Sequence, residues 1–329
     1  MSRPTSYFVT LFVAALLAGT SLHVQAQDKV RFQLDWAPIG SHAAAHLAQV
    51  KGYFKDAGLD VTTVDGKGGT QVVQLVGTGQ VDVGQAQLAT MAVARGSGMR
   101  ITSVAGFVRA GDNGFMVPRG RGFKTMKDLE GKRIAYTASS GTGPFLDAFL
   151  KSSGTSREKF QLVNVDSGSL VSVYTSGNVE AVMSTVAFFM PIVETVRPSD
   201  SILFADVGMR LPGYGLVVQD STVRDRAPVL GRFVGAMMRA WNYIFDGHVD
   251  EGVDAIIAQR PNDKLDRAIL KGQLEAYMPL FYTPATKGKP LGWQSEKDWA
   301  ETLQVMEAVG AIKPGSKPDD YYTNQFIPQ

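Results

Sequence analysis

The chain carries four histidines and no cysteine, which narrows the chemistry open to it. His42 and His46 are four apart and share one face of a helix. Two imidazoles so placed begin a zinc site. Yet His42-Ala-Ala-Ala-His46 lacks the glutamate of a zinc-hydrolase helix, and beyond residue 26 only His248 adds another imidazole. No metal site is expected; His42 reads as facing a pocket and His46 as packing. The absence of cysteine removes thiolate nucleophiles, disulfides and lipid attachment through a cysteine. Asp35 near His42 is the one acid–base pair an enzyme would use, but no nucleophile, base and orienting group accompany it. No cofactor is expected either. The turn Thr137–Pro144 has no P-loop lysine, and Gly77-Thr-Gly79 closes a helix where a dinucleotide fingerprint would open one. What remains is recognition without turnover, with catalysis by the Asp35–His42 pair as the alternative.

Three segments supply recognition chemistry. In Asp35-Trp36-Ala-Pro-Ile-Gly-Ser41-His42, Trp36 offers a flat apolar face and an indole donor for stacking a ring, or else belongs to the core. In Thr137-Ala-Ser139-Ser140-Gly141-Thr142-Gly143-Pro144, hydroxyls and backbone N–H groups are offered to the polar edge of a ligand, besides capping the next helix. In Ser184-Thr185-Val-Ala-Phe188-Phe189-Met-Pro191, one phenylalanine is expected to face Trp36 across the ligand and the other to be core. Gln85 and Gln87 carry amides suited to a heterocycle edge or to solvent. Asn113 and Tyr214, where the chain is expected to change lobes, complete the set. Arg109 and Arg210 lie near the same places and would bring charge if turned inward.

These segments need a frame that brings them together. Strand-like and helix-like stretches alternate from Val30 onward: strands over 30–34, 59–64, 81–84 and 101–108, with helices over 43–49, 71–76 and 85–95 between them. The pattern restarts after Gly114, with strands over 115–117, 132–137, 160–165, 181–185 and 216–218. Helices are expected over 125–129, 144–152, 168–176 and 191–196. Residues 226–247, 248–259, 264–277 and 295–309 read as helical and are expected to pack back on the first half. This is the signature of open α/β sheets with helices on both faces, here two of them. Ligands of such sheets lie outside the carboxyl ends of the strands, where the three segments fall.

Lys and Arg total 33 against 31 for Asp and Glu, so no electrostatic footprint for nucleic acid exists. Arg3, the apolar run Tyr7–Ala18 and Val24-Gln25-Ala26 have the layout of a secretory signal peptide cleaved near Ala26. That run is shorter than the ~20 residues a membrane span needs. An exported chain without a lipid-bearing cysteine points to the periplasm of a double-membraned bacterium.

Leu34-Asp35-Trp36-Ala-Pro38 with His42, followed by Gly52-Tyr53-Phe54, resembles the opening of the thiamin-pyrimidine-precursor (NMT/THI-like) solute-binding proteins. Gln74-Leu-Val76, then Gly79-Gln-Val-Asp82-Val-Gly84, and Asp128-Leu-Glu-Gly131-Lys-Arg133-Ile look like their second and third blocks. The resemblance covers nearly the whole chain after residue 26. It implies a type II periplasmic binding fold of two α/β lobes, 27–112 plus 215–329 and 113–214, with crossovers near 108–114 and 212–217. It implies that Trp36 and His42 face the cleft, and that a small planar or heteroaromatic solute bound there passes to an ABC permease with its ATPase, the receptor acting as a monomer. The wider superfamily also receives sulfonates, taurine, nitrate, riboflavin and aromatic acids. Two departures stand out. Ile39-Gly40-Ser41 replaces the Asn-Thr-Asn common before the histidine, and the cysteine-rich iron motif of the eukaryotic pyrimidine-forming relatives is absent.

Overall fold

The computed structural model describes residues 26–328; the expected export segment, residues 1–26, lies outside that range except for Ala26. Ten strands form two sheets of five. They are β1 (Asp28–Gln33), β2 (Leu59–Val64), β3 (Val83–Gln87), β4 (Ile101–Gly106), β5 (Asn113–Pro118), β6 (Arg133–Tyr136), β7 (Gln161–Asn164), β8 (Ala181–Thr185), β9 (Ser199–Leu203) and β10 (Tyr214–Gln219). The first sheet runs β2-β1-β3-β10-β4 and the second β7-β6-β8-β5-β9. Each is parallel except for its fourth strand, and that strand arrives from the other sheet. β10 is antiparallel to β3 and β4, β5 to β8 and β9. The chain therefore crosses twice, after β4 and before β10. The second crossover covers 204–213 rather than the expected 212–217, because Tyr214–Gln219 already pairs as strand.

Burial follows from layer position. β3 and β8, flanked on both sides and covered by helices on both faces, are buried at every residue, as interior strands of such sheets must be. β2 lies at an edge and alternates over its first four residues. The long helix Ala227–Phe245 turns Leu230, Phe233, Val234, Met237, Trp241 and Ile244 inward at three- and four-residue spacing. Phe233 stacks on Phe54 with centroids 5.3 Å apart and meets Phe32 edge-on, which fastens the helix to the first sheet. The helices Val249–Ala258 and Arg267–Tyr277 add to the same core, as expected for the C-terminal third. The helix Glu296–Ala308 differs. Its Trp299, Leu303 and Met306 share a core with residues of both sheets, so it braces the joint between the lobes.

His46 packs as expected, buried within Ala43–Val50. Burial pushes its pKa down to about 3, so the ring stays neutral at physiological pH. Among the described residues no helix is long and apolar enough to cross a membrane.

Candidate ligand cleft between the lobes

A narrow cleft with about 30 Å³ of free space lies between the two sheets. That is room for little more than a water and far below the ~300–1,000 Å³ of small-molecule sites, so the two walls must part to admit a ligand. Its first wall is built by the turn after β1. Backbone bonds from Gly66 N–H to the Trp36 carbonyl (3.0 Å) and from Gly68 N–H to the Asp35 carbonyl (2.7 Å) pin this turn to the one following β2. The approach demands glycine at 66, where a Cβ would strike the Leu34 carbonyl. Asp35, Trp36 and Ile39 thereby line the cleft, joined by Gln87 at the end of β3 and Tyr214 opposite it on β10.

The second lobe supplies Ser140, Gly141 and Thr142 from the turn after β6. It also supplies Leu170, Met183, Ser184 and Thr185, and Phe188 from the helix Val186–Val193. The Asp112 carboxylate accepts from the Ala187 N–H at 2.6 Å and anchors the start of that helix. Burial raises the Asp112 pKa to about 6. Trp36 and Phe188 meet edge to face, centroids 6.2 Å apart and planes at 70°. They do not present the parallel faces of a sandwich; a ring lying on one meets the other's edge.

Of the residues singled out from sequence, Trp36, Gln87, Ser140, Gly141, Thr142, Thr185, Phe188 and Tyr214 converge on the cleft wall. Five do not. His42 is fully buried behind Asp35, with its Nε2 2.9 Å from the Asp35 Oδ1, so it backs the wall instead of facing the ligand. Gln85 points away and donates to the Ser41 carbonyl at 3.2 Å. Phe189 is core, edge-on to Tyr174. Ser139 is exposed, its carbonyl pressed against Gly68 of the other lobe. Asn113 is buried at the start of β5 beside Thr185, off the wall. Arg109 and Arg210 line a separate cavity against both crossovers, and Arg109 donates to the Pro290 carbonyl at 3.0 Å.

The Ser140 and Thr142 hydroxyls are largely spent within their turn. The Ser140 Oγ donates to the Thr137 carbonyl at 2.7 Å and lies 2.9 Å from the Thr142 Oγ1. The turn is also tied across the cleft. The Thr90 Oγ1 donates to the Gly141 carbonyl at 2.8 Å, and a Cβ on Gly141 would stand 2.5 Å from the Gln87 Oε1. Gly141 has no left-handed backbone. Alanine there is thus acceptable to the turn itself and clashes only where the lobes meet. Gly141→Ala is expected to leave ligand-free melting unchanged while weakening ligand binding about ten-fold, as lost contacts of ~1.4 kcal/mol require. Titration calorimetry beside a melting curve checks both halves.

The electrostatics are one-sided. Asp35 is the sole charged residue of the wall, which contains no lysine or arginine. Among neutral groups of the wall, the Gln87 Oε1 accepts no hydrogen bond from the described residues. The wall thus combines one carboxylate with neutral amide and hydroxyl groups.

Two sheets joined by two crossovers around a polar and aromatic cleft define a substrate-binding protein fold. The chain belongs to the NMT1/THI5 like family, whose pattern matches residues 40–248. It is 24% identical over 319 residues to the formylaminopyrimidine-binding protein of Halalkalibacterium halodurans, covering 95% of each chain. A Saccharomyces cerevisiae 4-amino-5-hydroxymethyl-2-methylpyrimidine phosphate synthase is 35% identical over 115 residues, 35% of this chain and 34% of that one. The alkanesulfonate-binding protein SsuA from Xanthomonas axonopodis, solved with MOPS, superposes with a TM-score of 0.67 at 16% identity, covering 91% of this chain and 98% of that one. That likeness is one of fold.

Proposed function

We propose that this chain is an exported periplasmic receptor that binds a small planar, amino-bearing heterocycle of the pyrimidine-precursor kind and delivers it to an ABC permease with its ATPase. The observation that carries the reading is Asp35: a carboxylate backed by the His42 ring on a wall whose lining holds no lysine or arginine, beside Trp36, Phe188 and the Gln87 amide. The relative named for a formylaminopyrimidine, similar along the whole chain, supports the same class. A sulfonate or nitrate would meet the Asp35 carboxylate, which only the His42 ring behind it partners, and this disfavours those alternatives despite the shared fold. The lobes are read as 27–112 with 215–329, and 113–214, and the receptor as a monomer that returns its ligand unchanged. An open form admits the solute and hinge bending closes over it; only tighter binding to the closed form shifts that balance.

Thermal unfolding of residues 27–329 against a panel tests this. The panel holds formylaminopyrimidine and related aminopyrimidines, riboflavin, aromatic carboxylates, taurine and alkanesulfonates. A ligand at a hundred times its Kd adds about 2.7 kcal/mol, a shift of several degrees. We expect the aminopyrimidines alone to give it and to be recovered intact. A shift with taurine or a sulfonate and none with pyrimidines overturns the ligand class. Conversion of the bound compound overturns the receptor role and turns attention to Asp35 and His42 as an acid–base pair.

A further inference from the structure

Gln273 lies outside the cleft wall, on the helix Arg267–Tyr277, and is 2% exposed. Its amide holds both aromatic walls at once. The Oε1 accepts from the Gly40 N–H at 3.0 Å, in the turn that carries Trp36 and Ile39. The Nε2 donates to the Phe188 carbonyl at 2.9 Å, in the opposite lobe. Gly40 is set so close that a Cβ there would stand 2.8 Å from both the Gln273 Cβ and the Leu270 carbonyl. The first bond therefore lies within one rigid packing unit, and the second spans the lobes.

The surroundings repeat that division. The helix Arg267–Tyr277 packs against Gly40–His42 and Val249–Ala258 of its own lobe. Its outer face meets the helix Val186–Val193 of the other, where Gly272 lets Pro191 come within 3.2 Å of an added Cβ. One turn further on, the Tyr277 hydroxyl lies 3.2 Å from the Thr185 Oγ1. An amide satisfies both Gln273 partners at any pH, because one end must accept from an N–H and the other donate to a C=O; a carboxyl does so only when protonated.

We propose that Gln273 is a positioning residue and closure latch: anchored to the Trp36 turn through Gly40, it captures the Phe188 carbonyl when the lobes close and so holds the two aromatic walls at their working separation. The inference rests on the receptor reading for its ligand but on geometry alone for the latch. A latch of this kind acts on departure. The ligand enters the open form, where the Phe188 carbonyl is apart from Gln273, and leaves only after that bond breaks.

Two variants separate latch from scaffold. Gln273→Leu removes both bonds. Gln273→Glu, assayed at alkaline pH where its carboxyl is ionised, keeps the acceptor for the Gly40 N–H and sets an oxygen against the Phe188 carbonyl, removing only the bond between lobes. Stopped-flow with an aminopyrimidine active in the panel is expected to show release about ten-fold faster in both variants, with association within two-fold of the parent. Release from Gln273→Glu at the parental rate overturns the latch, since the bond within the lobe would then be the one that matters. Slower association with unchanged release overturns it also. Should Gln273→Leu fail to fold, Gln273→Glu decides alone. If the parent binds none of the panel, the receptor reading fails separately. Small-angle scattering of ligand-free protein then decides the latch, a larger radius of gyration in the variants supporting it and an equal radius overturning it.

Discussion

Trp36→Ala is expected to raise the Kd for the heterocycle roughly ten- to a hundred-fold while barely moving the melting point of the ligand-free protein. Stacking of a base on an aromatic side chain is worth about 1–3 kcal/mol by alanine substitution, and each 1.4 kcal/mol is ten-fold in affinity. The ring is only partly buried, so removing it opens no deep cavity in the core. The turn beneath it does not depend on the indole either. It is held by the backbone bond from Gly66 N–H to the Trp36 carbonyl and by the Gln33 amide, which donates to the Val64 and Asp65 carbonyls at 3.1 and 2.8 Å. Loss of binding would therefore report the face itself. Trp36→Phe, which keeps an aromatic face to meet Phe188, is expected to recover part of the loss. An alanine variant with parental affinity by titration calorimetry would remove Trp36 from the site.

The parts of this fold legible in the sequence are those written locally. The strand Leu59–Val64 alternates, Ala181–Thr185 is a short apolar run between turn signals, and both boundaries match the structure. Where a boundary is set by a distant partner, local reading misses it. Val81–Gly84 reads as strand with a helix from Gln85, yet β3 runs to Gln87, because β10 pairs along it and places Tyr214 opposite Gln87. Pro191 reads as a helix start, since proline favours the first turn. The helix begins five residues earlier, anchored by Asp112 from 75 positions away, and Pro191 sits in its interior. β9 escapes notice because Ser199-Asp-Ser is polar, as an edge strand tolerates.

The site divides the same way. Trp36 is legible because it follows the carboxyl end of a strand, where such sheets bind. Ser140 to Thr142 are legible for the same reason, but their hydroxyls turn out to stabilise the turn. Leu170 and Met183 are not legible in this way; nothing in an apolar run separates a cleft-facing residue from a core one. Phe188 and Phe189 were a choice of two that only the helix register resolves. Asp35 was read as the partner of His42 and is that, but its place on the wall depends on a turn fixed by contacts from the loop after β2.

Asp35→Asn supplies the sharpest test of the ligand's chemistry, because the sign of its effect differs between classes. Asparagine has the carboxylate's shape and keeps one oxygen for the His42 Nε2, so the turn should survive the change. What is lost is the charge. For an amino-bearing heterocycle a hydrogen bond to an ionised group contributes about 1.5–3 kcal/mol, so affinity is expected to fall roughly ten- to a hundred-fold. For an anion the same substitution removes a repulsion at close range, and affinity must rise. A neutral ring held by stacking alone should be indifferent. Calorimetry of parent and variant against an aminopyrimidine and an alkanesulfonate thus reads the wall's preference directly, with Trp36→Ala as the control that lowers affinity for any planar ligand. Weaker pyrimidine binding in Asp35→Asn, beside unaltered melting of the free protein, is the expected pair of results. Tighter sulfonate binding alone would mean that the parent's carboxylate excludes anions. An unchanged pyrimidine affinity would move the recognition chemistry to the amide and hydroxyls of Gln87, Ser184, Thr185 and Tyr214 on the same wall.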